Sequence, residues 1–509
     1  MEGSILLKPE KIFNTTDIVV SFAMIAVGFL YWNLIDFYML GAGATIFAVV
    51  IFGISFIYLL KSQIKVNAKS IMLLVLAVLS AAQFMIFDNM LIACLNFIFL
   101  SALFVYWICT ATGRRLDNKL SVYIVGDAVK QGFSVPFRNF GCCVSGVTNF
   151  TKYKKAKGVR PALLGILIGL PFIAFVIYLL ISADLAFENF INNILDFLKI
   201  EKLTRYFVQF LVGIPVAFYL YGLIYGNIKG RYTEKITIES VDRTAENARV
   251  VPKAAIYSIL TMFNVVYLIF FAVQAAYLFS AFGGELPEVF TYAEYARRGF
   301  FELCAVAGLN LCVLLISYLI VKRGPGENPK MLRAQTVIIS LFTILMIATA
   351  LSKMVMYINA YGLTQLRVYV SWFIVLLLFV FVVICIRQFK KFNSARLIIL
   401  GFVIMFLALS YGNVDGVIAK YNIDRYEAGT LKTFDIEALR ELSDAAVPHM
   451  YDMYLRTDSA KMRQQLAAAI KDRGMDIESG FRQFNFQRHN ADEIRALVPS
   501  VIPNTVAIP

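Results

Sequence analysis

From residue 411 to residue 426 the chain reads Y-G-N-V-D-G-V-I-A-K-Y-N-I-D-R-Y. Almost everything before this stretch is apolar and almost everything after it is polar, so it is read as the hinge between a membrane body and a soluble tail. Asn413, Asp415, Asn422 and Arg425 stand where a last apolar span meets water, the depth at which hydrogen-bonding side chains begin to cost little. They are candidates either for a polar helix stop or for a binding group.

Working outward, the 509 residues are 59% hydrophobic with a mean hydropathy of +0.71. No soluble domain hides that much apolar surface, so the class is a polytopic membrane protein. Runs able to cross a hydrocarbon core of roughly 30 Å lie near 18–35, 39–60, 71–87, 90–111, 162–181, 207–225, 254–282, 300–321, 336–358, 368–386 and 396–411. The expected architecture is all-α: about eleven transmembrane helices over 1–411, then a small helical extramembrane domain over 412–509. The first run has no small-residue cleavage site and is expected to stay as an anchor.

Charge sets the expected sidedness. Alternate connections hold 29 Lys/Arg against 10 Asp/Glu, and the intervening ones 6 against 9. The positive-inside bias puts the N-terminus in the cytoplasm and, after an odd number of spans, the tail outside. The net charge of +14 is thus topology rather than nucleic-acid binding. Segment 112–161, basic and interleaved with Phe133, Phe137, Phe140 and Phe150, is expected to lie on anionic inner-leaflet lipid, with a cytosolic partner as the alternative. Residues 187–198 carry apolar positions at helical spacing and predict an amphipathic surface helix. Gly165, Gly169, Gly222 and Gly226 suggest close helix packing, and Pro171 and Pro215 mark mid-span breaks of the kind found at transporter sites, though both patterns are common in apolar helices and ordinary packing is the favoured reading.

The seven cysteines imply no disulfide framework, and the adjacent Cys142 and Cys143 have no metal-ligand spacing. Phosphate loops, H-E-x-x-H and G-x-S-x-G are absent. No catalytic residue, metal ligand or cofactor is assigned. An enzyme of the lipid-linked sugar transferase type would need an outer carboxylate such as Asp36, Glu285, Glu288 or Glu294.

Within the runs stand two ionisable side chains, Glu302 and Lys353, at similar depth on spans of opposite direction. Charge in hydrocarbon is a functional hypothesis by default. Glu294, Arg297 and Arg298 lie just outside the first, and Tyr357, Tyr361 and Arg367 beyond the second. This constellation is either an ion-pair network that orients helices, with Glu302 pairing to Lys353 or to Arg298, or a binding site.

The stretches E-Y-A-R-R-G-F-F-E-L (294–303), K-M-V-M-Y-I-N-A-Y-G-L-T-Q-L-R-V-Y-V (353–370), the hinge, D-A-A-V-P (444–448) and F-R-Q-F-N-F-Q-R-H-N-A (481–491) come in an order that resembles a bacterial family of multi-pass membrane proteins known only as a domain of unknown function. The resemblance covers roughly 285–495. It implies a bacterial plasma-membrane protein and brings no activity, cofactor or catalytic residue. The family often has Asn-Pro-Asp at the hinge where this chain has Asn413-Val414-Asp415, which leaves a sharp exit from the membrane without its usual proline. In the tail, Ser443 and Ser459 are expected helix caps, and Phe481, Phe484, Phe486, Leu439, Leu442, Val447 and Leu466 an expected core. His449 and His489 read as surface or capping residues.

The leading functional expectation is a non-enzymatic envelope signalling, assembly or binding protein whose tail meets an envelope protein or lipid. A transporter or lipid flippase is the alternative.

Overall fold

A computed structural model describes residues 13–153, 201–233, 236–283, 300–324, 327, 329–431, 434–472 and 480–499, with scattered positions between 169 and 184. Among them the chain is helical, apart from one isolated bridge between Val251 and Val321. Ten helices are long and apolar enough to cross a membrane. The protein is a polytopic helical membrane protein. The expected span at 162–181, with Gly165 and Pro171, and the expected helix at 187–198 lie largely or wholly outside the described residues.

The first group of spans is α1 (Thr15–Leu34), α2 (Ala42–Lys61), α3 (Ala68–Ile86) and α4 (Met90–Ala111). Three short segments follow, α5 (Ile124–Val129), α6 (Val135–Arg138) and α7 (Cys142–Tyr153), and then α8 (Glu201–Ile228). Asn14, Asn67 and Asn89 cap α1, α3 and α4 by accepting backbone N–H groups of the first turn, as the orphan donors of a helix start require. Helix α1 crosses α8 closely. Gly28 and Gly213 face each other there, and a Cβ on either would collide with the backbone of the other. Small residues admit such an approach where no hydrophobic drive separates helix from lipid.

Gly222 and Gly226 serve a different neighbour from the one expected. They receive the turn at Pro136 and Asn139, not another span. Residues 122–137 form an amphipathic run: Val122, Val125, Val129, Phe133 and Phe137 are exposed, while Asp127, Lys130, Gln131 and Val135 are buried. Cys142 and Cys143 are buried as well and act as small packing residues. Asp17, in the first turn of α1 and one residue before the expected span, is a further buried charge. It accepts from Tyr58 Oη at 2.6 Å and pairs with Lys229 at 2.9 Å.

After α9 (Ile238–Asn247), the second group comprises α10 (Lys253–Gly283), α11 (Phe300–Ile320), α12 (Lys330–Tyr361) and α13 (Gln365–Phe389). Uncharged polar groups tie its centre. Asn310 accepts from Tyr267 Oη and donates to Thr343 Oγ1 at 2.8 Å, while Gln335 bonds Asn264 and donates to Thr261 at 2.8 Å. Helix α14 (Ser394–Tyr411) returns beside α13 and α4.

The hinge is tight despite the missing proline. Gly412 ends α14, Asn413 takes the left-handed conformation (φ 45°, ψ 52°), and α15 (Val414–Glu427) starts at once. Asparagine tolerates this region better than other non-glycine residues, so it supplies the turn that proline was expected to supply. The tail continues through α16 (Ile436–Arg440), α17 (Val447–Arg456), α18 (Ala460–Asp472) and α19 (Phe486–Leu497). Leu439, Leu442, Val447 and Leu466 form its core as expected, joined by Met450, Met453 and Ile470. Phe481 and Phe486 are exposed instead. Ser459 caps α18, but Ser443 makes no cap bond.

The connections fall on two faces. Residues 35–41, 87–89, 362–364 and 412–413 meet the tail. At the other end, the basic face, Asn67 bonds Thr110 O, Lys69 bonds Asn118 O and Asn393 bonds Leu120 O.

Candidate functional site

The tail is fastened to the body by buried polar side chains. Asp415, only 1% exposed, accepts from Asn89 at 2.8 Å, from Gln365 at 2.8 Å and from the Ser443 backbone N–H at 3.0 Å. Asn413 accepts from Gln487 at 2.7 Å. Asn422 bonds both backbone groups of Leu363, at 2.7 and 2.8 Å, beside Gly362 (φ 75°), where a Cβ would strike it. Arg425 donates to the carbonyls of Ile358 and Asn359, and Arg367 to those of Tyr361 and Gly362. Asn422 and Arg425 thus close the end of α12 and the turn after it onto α15, while Asp415 and Asn413 tie α15 to Asn89, Gln365 and the rest of the tail.

A second set of contacts forms an open chamber. Asp36 accepts from Arg482 at 3.1 Å and from Gln483 at 2.8 Å. Asp88 accepts from Asn485 at 2.9 Å and pairs with Arg488. Arg488 also reaches Asp444 at 3.6 Å, and Arg495 bridges Asp444 and Asp492. Around this cluster lies a cavity of about 380 Å³, within the range of roughly 300–1,000 Å³ common for ligand pockets. Its polar wall is Asp88, Asn89, Asp444, Arg488, Asp492 and Arg495. Its apolar wall is Phe37, Tyr38, Met39, Leu40, Met90, Ala93 and Cys94. Ser443 Oγ, also lining it, is buried and makes no hydrogen bond among the described residues.

Three carboxylates face two guanidinium groups, so the chamber is not an anion cradle. Burial is the main force on Asp88 and lifts its carboxyl to about 6, opposed by Arg488 and aided by neighbouring Asp444. Asp36, the outer carboxylate considered for sugar transfer, is engaged by Arg482 and Gln483. The described residues hold no cluster of three or more metal-ligating side chains.

The other candidates fall apart from this chamber. Glu294, Arg297 and Arg298 lie outside the described residues. Glu302 is exposed on α11, and Lys353 is half-buried on the packed neighbour α12 within range of the Glu302 charge. Tyr357 stacks edge-on to Tyr361 and lies 4.1 Å beneath the Arg367 guanidinium, beside a small cavity of about 180 Å³. Sequence reasoning missed Asp88, Asp444, Arg488 and Arg495. Asp444 and Arg488 sit inside D-A-A-V-P and F-R-Q-F-N-F-Q-R-H-N-A, stretches already singled out for their resemblance.

No curated protein and no solved structure significantly matches the chain. The domain of unknown function DUF4153 matches residues 70–453. That match begins far earlier than the resemblance suggested and ends before 481–491. It takes in α3, α4 and Asp88 as well as Asp444, and covers well over half of the sequence. The chain belongs to the DUF4153 family.

Proposed function

We propose that this protein is a non-enzymatic binding protein of the bacterial plasma membrane, in which tail and body together hold the head of a membrane amphiphile. The N-terminus is cytoplasmic and the tail extracytoplasmic, as the charge asymmetry between the two faces supports. The observation that carries the reading is the chamber beside Asp88. One wall is charged and comes mainly from the tail; the other is apolar, comes from the body, and includes the exposed Tyr38 and Met90. Such a boundary suits a molecule with a polar head and an apolar stem. The excess carboxylate favours a head that donates hydrogen bonds, an ammonium or a hydroxyl group. On the basic face, the exposed stripe from Val122 to Phe137 supports contact with the inner leaflet.

The test is retention of phosphatidylethanolamine against phosphatidylglycerol of matched chains by purified protein, read by native mass spectrometry. The ammonium lipid should be retained preferentially, and Ala93→Trp, which fills the chamber, should abolish the preference. Equal retention of both lipids would overturn the reading.

A further inference from the structure

A larger cavity, about 600 Å³ and open at the body's outer surface beside Ser101 and Ala102, lies between α2, α4 and α8. Phe47, Phe52, Phe104, Phe137 and Pro215 give it an apolar lining. Helix α4 connects it to the polar chamber. Met90, Ala93 and Cys94 line the chamber, and Phe97, Ser101 and Phe104 line the cavity. These positions recur every three or four residues, which is one continuous stripe of a helix. The two linings also touch: Phe37 of the chamber packs edge-on against Phe97 of the cavity, with ring centroids 5.4 Å apart.

We infer that the two spaces are one amphiphile site, the cavity taking the hydrocarbon chain of a lipid whose head lies in the chamber, with Phe37 and Phe97 as the threshold the chain passes. The inference rests on the proposed head-binding reading. The geometry fits a chain in length. From Met90 to Phe97 is about 10 Å along α4, and from Phe97 to Val105 about 12 Å more, at 1.5 Å per residue. The occupant is a chain rather than a protein segment because the cavity lies among membrane-crossing helices and its lining offers few polar groups for a backbone.

Trp107 reports occupancy. It is fully buried, and two cavity-lining rings, Phe52 and Phe104, pack against it with centroids 5.1 and 6.1 Å away. A chain in the cavity would bring its terminal half within one ring layer of this indole, which surrounding lipid does not touch. The experiment uses the full chain with Trp32→Phe and Trp372→Phe, in vesicles of phosphatidylethanolamine brominated either near the head or in the terminal half of the chain. Deep bromine should quench Trp107 at least two-fold more than shallow bromine, and Ala102→Phe, which narrows the cavity from the lipid side, should remove the difference. Ala48→Phe fills the same space from α2 and serves as the second variant should the first fail to fold. Equal quenching at both depths, or quenching that survives the filling, overturns the inference. Head-group preference without deep quenching would leave the chamber reading standing and remove only the chain site. Loss of both would remove the two together.

Discussion

The seam between tail and body and the centre of the α10, α11 and α12 group are both polar, yet they are built from different chemistry. The seam adds full charges to its amides: Asp36 with Arg482 and Asp88 with Arg488 cross it, backed within the tail by Asp444 with Arg488 and by Asp444 and Asp492 with Arg495. The bundle centre uses amides and hydroxyls: Tyr267, Asn310, Thr343, Thr261, Gln335 and Asn264. Desolvating a charge in hydrocarbon costs several kcal/mol, on the order of 3 even on the most lenient scale. A neutral amide between helices costs far less to bring in. At the seam water is near, and charges fix one docking register because each wrong pairing strands a partner. The difference teaches that the seam is specified, while the bundle is merely tied.

If so, breaking the seam should be the costly act. Arg488→Ala leaves Asp88 without its counter-charge beside Asp444, which keeps Arg495, and the Arg488 side chain is only 12% exposed. Removing one member of a buried pair costs roughly 3–5 kcal/mol. The tail should become protease-sensitive in detergent, and adding Asp88→Asn should restore a large part of its protection. Absence of any rescue would mean that Arg488 acts through packing, not charge. Asp415→Ala comes next. It strands Asn89, Gln365 and the Ser443 N–H at about 1 kcal/mol each or more, about 3 kcal/mol together. A thermal-unfolding scan that finds it neutral would refute its role as the fastening point.

How much of this was legible follows the same division. The spans were readable because runs of apolar residues announce themselves one segment at a time, and ten of them stand where expected. Asn413, Asp415, Asn422 and Arg425 were readable as polar residues at a boundary, though not as bonds to 89, 363 and 358, since contacts across tens to hundreds of residues leave no local pattern. Asp88 gave no signal at all: one acid in a three-residue loop reads as solvated charge. Searching the spans for charge found Glu302 and Lys353 but passed over Asn310 and Gln335, because neutral polar residues are common in apolar helices. The Phe481 and Phe486 expectation failed because aromatic content was equated with core, whereas their backbone and polar neighbours do the docking through Phe484 O, Gln483 and Asn485.

The seam should also feel acid. The Asp88 carboxyl is lifted to about 6 in the folded chain, above an ordinary value near ~3.9. A raised carboxyl favours the protonated form when folded, so its stabilising contribution is complete below about pH 4 and is lost as pH rises through about 6. Unfolding temperature should therefore fall between about pH 4 and about pH 6, by an effect of up to about 3 kcal/mol, and Asp88→Asn should flatten the slope in that window. A rise in stability over the same interval would contradict the sign.

The smallest effect should come from the bundle centre. Asn310→Leu removes the amide that joins Tyr267 to Thr343 across three helices, but it strands little. Thr343 Oγ1 still donates to the Ile339 carbonyl at 2.7 Å within its own helix. Only the Tyr267 hydroxyl loses its partner, and leucine nearly matches asparagine in shape while being at home in hydrocarbon. Polar contacts between membrane helices are worth about 0.6 kcal/mol on average, because the separated helices also find partners. The expected cost is thus about 1 kcal/mol, a shift of a few degrees in unfolding temperature at most. Measured beside Asp415→Ala in the same detergent, it ranks the two regions directly. If Asn310→Leu proved the more damaging, the neutral network would be the specifying element, and charge at the seam would be a surface ornament on a fold decided within the membrane.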